Sequence, residues 1–303
     1  MGFGNISAAR DLQSSRDNVR PKKVPIYQKE VWSLIPDESI VVRFVGGPSE
    51  PHIFSQHGFS RLPNKGFEKG ICSRPDECIL CNAASVPGEK RVKRASPYAA
   101  FTVYSTRKMQ MVPFQRDDGT TGNRTQPIRV NEAGEYITKD TSGRTVIVGA
   151  PSPDANLVDE GLKIWCGSLH PKAANADQIL ALDTQLQKVC QCGQRVGTGL
   201  NARPAEIHEH DGVLVCTADC GNPRRGSLTA CYVQITRRGQ GTDTTYHFRP
   251  LPFSEPNDEH TLEPLPLAEV YKADPADQAQ KLEERGISPT GQASSGSEES
   301  IWN

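Results

Sequence analysis

One stretch of the sequence, residues 57–81, constrains the fold of this chain more than any other. It holds one histidine and three cysteines at a compact spacing, namely His57, Cys72, Cys78 and Cys81. An imidazole and three thiolates can complete the tetrahedral shell of a zinc ion, and a Cys-x-x-Cys step lets one tight turn direct two sulfurs at the same ion. Because four protein ligands leave no coordination position for a substrate, we expect this zinc to be structural rather than catalytic.

The same residues leave two alternatives to this ligand set. In the first, the three cysteines are reduced side chains buried as small apolar groups. Charged residues make the stretch too polar for a core, and these are Arg74, Asp76 and Glu77. In the second, His52 replaces His57 as the nitrogen ligand.

A second group of cysteines lies at about residues 188–222, where two pairs are each followed by glycine. The pairs are Cys190-x-Cys192-Gly193 and Cys216-x-x-x-Cys220-Gly221. Glycine relieves steric crowding where backbone amides turn towards thiolate sulfurs, so we interpret this segment as a small inserted zinc ribbon. His208 and His210 lie between the pairs and are alternatives for one thiol. By contrast, we expect Cys166 and Cys231 to be apolar core residues.

The residues around the first cluster form a wider pattern. In chain order it comprises His57-Gly58-Phe59, Cys72-Ser73, Cys78-x-x-Cys81 and the basic-then-aromatic run Val92-Lys93-Arg94-Ala95-Ser96-Pro97-Tyr98. This pattern resembles the zinc-binding subdomain of the single-stranded-DNA-binding (helix-destabilising) proteins of T-even-like bacteriophages. The resemblance extends over about residues 31–104, continues more loosely over residues 162–248 and does not cover residues 190–220.

The resemblance implies an oligonucleotide-binding (OB) barrel that coats and protects unpaired DNA, without sequence preference, in phage replication, recombination and repair. It places Lys93, Arg94 and Tyr98 where the family contacts DNA, and the family's second aromatic residue at that point is here Ala99. The implied partners are phage replication and recombination enzymes, recruited through an acidic C-terminal tail. Self-association along DNA through a basic N-terminal arm is a further family property, although the family's usual arm motif is not found in this sequence.

The rest of the sequence favours short strands separated by turns. Hydrophobic residues make up only 36% of the chain, and 23 prolines and 26 glycines interrupt it. Strands are predicted by β-branched and aromatic runs at residues 40–45, 52–54, 99–104, 145–148, 231–236 and 244–249, the last two forming a hairpin. The polar segment 109–143 predicts a hairpin or loop, and residues 161–186 predict a helix interrupted at His170-Pro171. We therefore predict a mainly β fold with minor α, an OB barrel with a zinc subdomain at about residues 50–95.

Charge divides the chain into a basic body and an acidic end. Residues 254–303 carry eleven acidic and three basic residues, a net charge of −8, whereas residues 1–253 carry 32 basic and 25 acidic residues, a net charge of +7. This distribution is typical of nucleic-acid-binding proteins. We accordingly predict a flexible basic arm at residues 1–23, a core at residues 24–253 and a disordered acidic tail to residue 303, with one candidate helix at residues 274–285.

Basic and aromatic residues lie close together at several places in the chain. Single-stranded nucleic acid is held by a positive groove that follows the phosphates and by aromatic faces on which the bases stack. Because side chains of a strand alternate between two faces, some of the aromatic rings must instead be buried. The predicted DNA-binding residues are Arg43, Lys93, Arg94, Tyr98, Tyr104, Arg107, Lys108, Arg237, Arg238 and Tyr246.

Other functional classes find less support in the sequence. We find no His-Glu-x-x-His helix, Walker loop or nucleophile elbow, so we do not expect an enzyme. The alternative to single-strand binding is a zinc-ribbon adaptor or transcription-type factor that binds duplex DNA or protein. No apolar run is long enough to predict membrane insertion. Nine cysteines without an export signal predict metal ligation in the cytoplasm, which for a viral protein is the host's.

Overall fold

The computed structural model describes residues 30–31, 33–46, 51–60, 62, 68–73, 78–115, 119–152, 157–169, 175–240, 243–254 and 262–287. The predicted arm at residues 1–23 and the last residues of the tail lie outside this described part. Within it, none of the helices has the length and apolar character needed to cross a lipid bilayer.

The described residues form a mainly β fold with few helices. In chain order the strands are β1 (Glu38–Phe44), β2 (His52–Gly58), β3 (Lys69–Ile71), β4 (Ser96–Gln115), β5 (Thr121–Pro127), β6 (Val130–Asn131), β7 (Ile137–Lys139), β8 (Thr145–Ile147), β9 (Leu157–Ser168), β10 (Arg195–Val196), β11 (Arg203–Pro204), β12 (Ile207–His210), β13 (Val213–Cys216), β14 (Cys231–Arg238) and β15 (Thr245–Phe253). The helices are α1 (Ile79–Ser85), α2 (Asn175–Leu186), α3 (Leu267–Val270) and α4 (Pro275–Glu283). Each of the predicted strand segments contains a strand, and the predicted hairpin of β14 with β15 is confirmed. Of the hairpin or loop predicted for residues 109–143, the structure has a hairpin, formed by β4 with β5.

Strand β4 organises the largest sheet. Nine strands of the described part form this antiparallel sheet in the order β15-β14-β1-β4-β2-β3, with β5 and β9 added at β4 and β6 at β1. Along one edge of β4 runs β9, from Ser168 opposite Tyr98 to Leu157 opposite Gln110. The other edge is shared in succession by β2, β1 and β5. The sheet consequently divides along β4 into one branch that ends at β15 and another that ends at β3.

The side chains of the central strands alternate between two surfaces. Ala99, Phe101 and Val103 of β4 point to the main core, which α2 covers with Ile179 and other apolar side chains. The alternate positions point to the opposite surface, which we call the outer face. On β4, β1 and β14 the outer face comprises Thr102, Tyr104, Thr106, Val41, Arg43, Tyr232 and Gln234. The first surface is therefore the main core, whereas the outer face is only partly exposed, with Thr102 and Arg43 buried.

The helix predicted for residues 161–186 is wrong in its first half. Residues 157–168 form β9, and the helix begins at Asn175. Consecutive apolar residues of β9 contribute to two buried surfaces, because Trp165 packs into the main core while Ile164 packs on the other side of the sheet. A strand that is covered on both sides lacks an alternating pattern, so its sequence looks like that of a buried helix.

The predicted disordered tail requires correction, since residues 262–287 belong to the fold. Helix α4 confirms the candidate helix, and its N-cap residue Asp274 accepts hydrogen bonds from amides of the first turn. Leu282 of α4 is fully buried against Phe59 and Leu80 in the core of the zinc subdomain. The prediction failed because this stretch is acidic and interrupted by prolines.

Arg107, predicted to contact DNA, is instead buried among acidic residues. Its guanidinium donates to Glu38 Oε1 at 3.0 Å and to Glu160 Oε1 at 2.8 Å, and all three side chains are almost completely buried. Glu38 also accepts hydrogen bonds from the amide of Ile35 at 2.8 Å and from Arg129. These contacts join β1, β4 and β9 where the pairing of β4 with β9 shifts in register. We therefore assign Arg107 a structural role.

Replacing Arg107 by methionine should lower the free energy of unfolding by about 3–5 kcal/mol, because the buried Glu160 would lose this cation and Glu38 would keep only Arg129. Chemical denaturation followed by circular dichroism measures this change. The matched control is Lys108→Met, whose ammonium forms an exposed pair with Asp159 at 2.5 Å that is worth less than about 1 kcal/mol. Equal losses of stability in the two variants would contradict the role assigned to Arg107.

Candidate metal centres and nucleic-acid interface

The first Cys/His cluster is assembled from three elements of the zinc subdomain. His57 lies in β2, Cys72 directly follows β3, and the Cys-x-x-Cys pair lies at the start of α1. The Cys81 sulfur is 3.5 Å from the Cys72 sulfur and 3.4 Å from Nε2 of His57. That nitrogen lies 3.7 Å from the Cys78 sulfur, and the ligands of a tetrahedral zinc ion are separated by about 3.3–3.8 Å. The four predicted ligands are therefore brought together around one point.

A hydrogen bond fixes the orientation of His57. Its Nδ1–H donates to the carbonyl oxygen of Lys93 at 2.8 Å, which leaves Nε2 directed at the thiols. The side chain is completely buried, and burial lowers the pKa of His57, so the neutral imidazole is favoured. Carbonyl acceptors commonly orient metal-binding histidines in this way. The alternative ligand His52 instead stacks on Tyr271 and lies outside the cluster.

The N-terminus of α1 stabilises the thiolate form of Cys78. Burial opposes ionisation of this thiol, but hydrogen bonds from backbone amides, foremost that of Cys81, outweigh burial and lower the pKa of Cys78. Amides in the first turn of a helix have no carbonyl partner within the helix, which makes them available to the sulfur. Zinc binds thiolates rather than thiols, so this environment suits a metal ligand.

The second cluster is formed by the four predicted cysteines of the ribbon. The sulfurs of Cys190 and Cys220 are 3.6 Å apart, and those of Cys192 and Cys216 are 3.8 Å apart. All four sulfurs lie within 4.8 Å of one another. These separations again match the edges of a tetrahedron of thiolates around zinc, about 3.8 Å long.

Each sulfur of the second cluster accepts a hydrogen bond from the amide two residues later. The donors are the amides of Cys192, Gln194, Ala218 and Asn222. Gly193 and Gly221 each stand between a cysteine and its donor, with φ of +68° and +73°, conformations that other residues rarely adopt. For Cys190, burial opposes ionisation but the amides outweigh it and lower the pKa of the thiol to about 7. The predicted reason for the glycines is therefore confirmed.

The alternative ligands and the remaining cysteines lie elsewhere. His208 and His210 are exposed on the hairpin of β12 with β13, outside the group of sulfurs. Cys231 is fully buried in the main core, and Cys166 packs against the apolar group around Phe54. The described residues thus provide two four-ligand sets, each of which can hold one zinc ion.

A row of three side chains on the outer face fits a base-stacking surface. Tyr104 of β4 lies opposite Arg43 of β1, which lies opposite Tyr232 of β14. The Arg43 guanidinium is 5.3 Å from the centroid of the Tyr232 ring, and both tyrosines are partly exposed. Arg43 also donates to the carbonyl of Thr229 at 2.9 Å and to the hydroxyl of Ser254 at 3.0 Å. Arg43 is only 3% exposed, so the prediction that it contacts DNA is wrong: its guanidinium is held within the protein between the two tyrosines of this Tyr–Arg–Tyr row.

Sequence reasoning missed two residues of the outer face, Tyr232 and Arg249. The signal for Tyr232 was present in the alternation along β14, because Cys231 and Val233 are buried in the core and the residue between them must point the other way. Arg249 is exposed on β15 opposite Gln234. It adds a positive charge next to the row.

A second aromatic group, at the start of β4, is covered by the C-terminal segment. Tyr98 stacks on Phe54 with ring centroids 5.9 Å apart, and Tyr271 stacks on the same phenylalanine at 4.1 Å. Tyr271 is almost completely buried and donates its hydroxyl to Glu30 at 3.0 Å. Tyr98 is therefore half-buried beneath residues of the tail, and Tyr104 and Tyr232 of the row are half-buried as well.

Three other predicted cations are exposed close to β4. Lys93 and Arg94 precede this strand and lie beside the first metal cluster, since the carbonyl of Lys93 accepts from its histidine. Lys108 lies further along β4 in an exposed pair with Asp159. All three are placed where a polyanion can reach them.

The three predicted residues on β14 and β15 have other contacts. Tyr246 packs edge-to-face on Trp165 with ring centroids 5.5 Å apart, so it belongs to the main core. Arg237 points to the same side as Tyr246, its partner across the two strands, and donates to a backbone carbonyl. Arg238 is exposed and pairs with Glu132 at 2.6 Å. Arg238 thus borders the outer face, whereas Tyr246 and Arg237 do not contribute to it.

Three features of the described residues carry functional information: the two four-ligand clusters, the Tyr–Arg–Tyr row and the cations around that row. Comparison of the chain with family models, curated proteins and solved structures found no match. The family resemblance of the zinc-subdomain motifs therefore stays a prediction.

Cys78→Ser and Cys216→Ser should each reduce the bound zinc from about two ions to about one ion per chain, because each variant lacks one of four ligands. Atomic absorption spectroscopy of the purified full chain measures the metal content. Cys231→Ala is the matched control and should retain both ions, since this cysteine lies in the main core. An unmutated protein without zinc, or a control that loses as much zinc as the variants, would contradict the two assigned centres.

Proposed function

We propose that this protein binds single-stranded DNA without sequence preference and coats it, and that it catalyses no reaction. The observation that carries the proposal is the Tyr–Arg–Tyr row on the outer face. Aromatic faces bind bases and cations bind phosphates. The row offers two partly exposed tyrosines on adjacent parts of the sheet, while the buried Arg43 supports the Tyr232 ring and the phosphates would need the exposed cations described next. We further propose that the sheet belongs to an OB barrel, because OB folds bind oligonucleotides across a small antiparallel sheet.

Exposed cations support a path for the phosphates. Arg249 and Lys108 are exposed on β15 and β4, and Lys93 and Arg94 are exposed before β4, about 30 Å along the strand from Tyr104. The pair of Lys108 with Asp159 is exposed, and such pairs are weak enough for a phosphate to replace the carboxylate. The net charge of +7 over the first 253 residues would attract a polyanion over a longer distance.

Both metal centres serve the fold in this proposal. Four protein ligands leave no open coordination position, so zinc would hold the ligand segments together and would not bind a substrate. The first centre would fix β2, β3 and α1 beside the start of β4. The second would close the ribbon that lies between α2 and β14. Metal binding and folding of these small segments should be coupled.

The resemblance of the zinc-subdomain motifs extends the proposal to phage DNA replication, recombination and repair in the host cytoplasm. The partners would be the enzymes of these processes, recruited through the end of the tail. That end, which lies outside the described residues, reads Glu298-Glu299-Ser300-Ile301-Trp302-Asn303. Acidic residues followed by apolar ones resemble the partner-docking ends of single-stranded-DNA-binding proteins. Self-association along DNA belongs to the same proposal.

A zinc-ribbon adaptor or transcription-type factor is the second candidate function. It is favoured by apolar side chains on the ribbon, where Val213 and Val215 share one face of β13 and are 63% and 44% exposed. Exposed apolar groups that lie together mark sites of protein binding. A factor of this kind would prefer duplex DNA or a protein partner to single strands.

Fluorescence titration of the full chain with oligo-dT and with a matched duplex, at two salt concentrations, separates the two candidates. We expect tighter binding to oligo-dT and a steep loss of affinity with salt, with a slope of about −0.7 per phosphate contact, because bound cations release counterions. Preference for the duplex, or an affinity that does not change with salt, would contradict single-strand coating.

Tyr104→Ala and Tyr232→Ala should each weaken oligo-dT binding about 5- to 150-fold, since one stacked base contributes about 1–3 kcal/mol. The same titration measures the effect. The matched control is Phe114→Ala, because this partly exposed ring lies about 34 Å further along β4. If the control weakened binding as much as the two tyrosine variants, the row would not be the binding surface.

A further inference from the structure

A pocket opens beside the Tyr–Arg–Tyr row, between the outer face and the chain that follows β5. Its volume is about 320 Å³, which lies in the range of small-molecule sites, about 300–1,000 Å³. The floor is formed by the outer-face residues Val41, Thr106 and Gln234 of three adjacent strands. The walls are largely apolar and include Ile128, Val130, Tyr136, Pro151 and Leu157. A flat, mostly apolar group can therefore enter between them.

Gln234 lines this pocket and carries an acceptor atom, Oε1, without a hydrogen-bond partner. This Oε1 atom is buried. Among the described residues that line the pocket, no other buried side-chain nitrogen or oxygen lacks a partner. Other polar side chains of the lining are already paired, and these are Ser39, Thr106, Arg107, Lys108, Asn131 and Glu132. Leaving a buried acceptor unsatisfied destabilises the free protein, so a ligand that donates to Gln234 would relieve that cost.

The pocket and the row are two residues apart along β14 and along β1. Gln234 follows Tyr232 by two residues on β14, and Val41 precedes Arg43 by two residues on β1. Two residues of a strand span about 7 Å and return to the same face. A strand of DNA that stacks one base on the row would thus carry a neighbouring base to the mouth of the pocket.

We propose that this pocket receives one unstacked base of the bound strand and that Gln234 reads its hydrogen-bonding edge, with adenine favoured. The inference rests on the proposed single-strand binding and adds a base preference to it. A glutamine amide presents a donor and an acceptor side by side, which match N7 and N6–H of adenine in a bidentate pair. The apolar walls and the Tyr136 ring would pack against the faces of the base.

Competition between two oligonucleotides of about twelve nucleotides tests the proposal, one of dT alone and one with a single central dA. We expect the dA-containing strand to bind the full chain about ten-fold more tightly, because one bidentate pair discriminates to about that extent. Strands with a single dC or dG should gain less. The dA advantage should disappear in Gln234→Leu, and equal affinity of all the strands for the unmutated protein would overturn the proposal.

Control measurements separate this proposal from folding and from the function on which it rests. Gln234→Leu removes an unsatisfied buried atom, so its thermal stability should be unchanged or higher and its zinc content unchanged. Gln185→Leu, on the exposed side of α2, is the matched control and should keep the dA advantage. An advantage that survives in Gln234→Leu would overturn the role of Gln234 while single-strand binding stands. A protein that binds none of the oligonucleotides would contradict the proposed function itself.

Discussion

The pairing of β4 with its neighbours is the constraint on which the rest of the structure depends. With β9 along one edge and β2, β1 and β5 along the other, the side chains of β4 can point only to the two faces of the sheet. One face is closed by α2 and becomes the main core. On the other face, the C-terminal segment covers the start of β4 through Tyr271 and reaches Thr102, and Tyr104 further along is partly exposed. The position of the proposed binding surface therefore follows from how much of one strand the tail covers.

The zinc subdomain shows how a small unit can be stabilised by several different contacts. Its apolar core contains few residues, and two of them, Leu282 and Ile287, come from the C-terminal segment. Arg285 adds a cation–π contact at 4.5 Å from the centroid of Phe59. Small units with little apolar surface to bury commonly need a metal ion as well. The four ligands around His57 meet that need, so metal binding, tail docking and the geometry at the start of β4 should be coupled.

Sequence reasoning worked where the determinants are local and failed where they depend on distant residues. Both ligand sets were predictable, because their sulfurs and imidazole follow spacings that coordination chemistry imposes, and the strands were predictable from their β-branched runs. The strand around Trp165 was not, because burial on both faces removes the alternation that identifies a strand. Arg107 resembled a phosphate-binding residue until its two carboxylate partners, more than fifty residues away on other strands, were placed beside it. The docking of Leu282 likewise depends on the shape of a subdomain some two hundred residues earlier in the chain.

Ultraviolet cross-linking of oligo-dT to the full chain, followed by mass spectrometry of the peptides, tests most directly whether unpaired DNA lies across the outer face. We predict adducts at Tyr104 and Tyr232, which share the row with Arg43. Adducts confined to the ribbon, or to Tyr246 and its neighbours on the core side, would contradict single-strand binding by this surface.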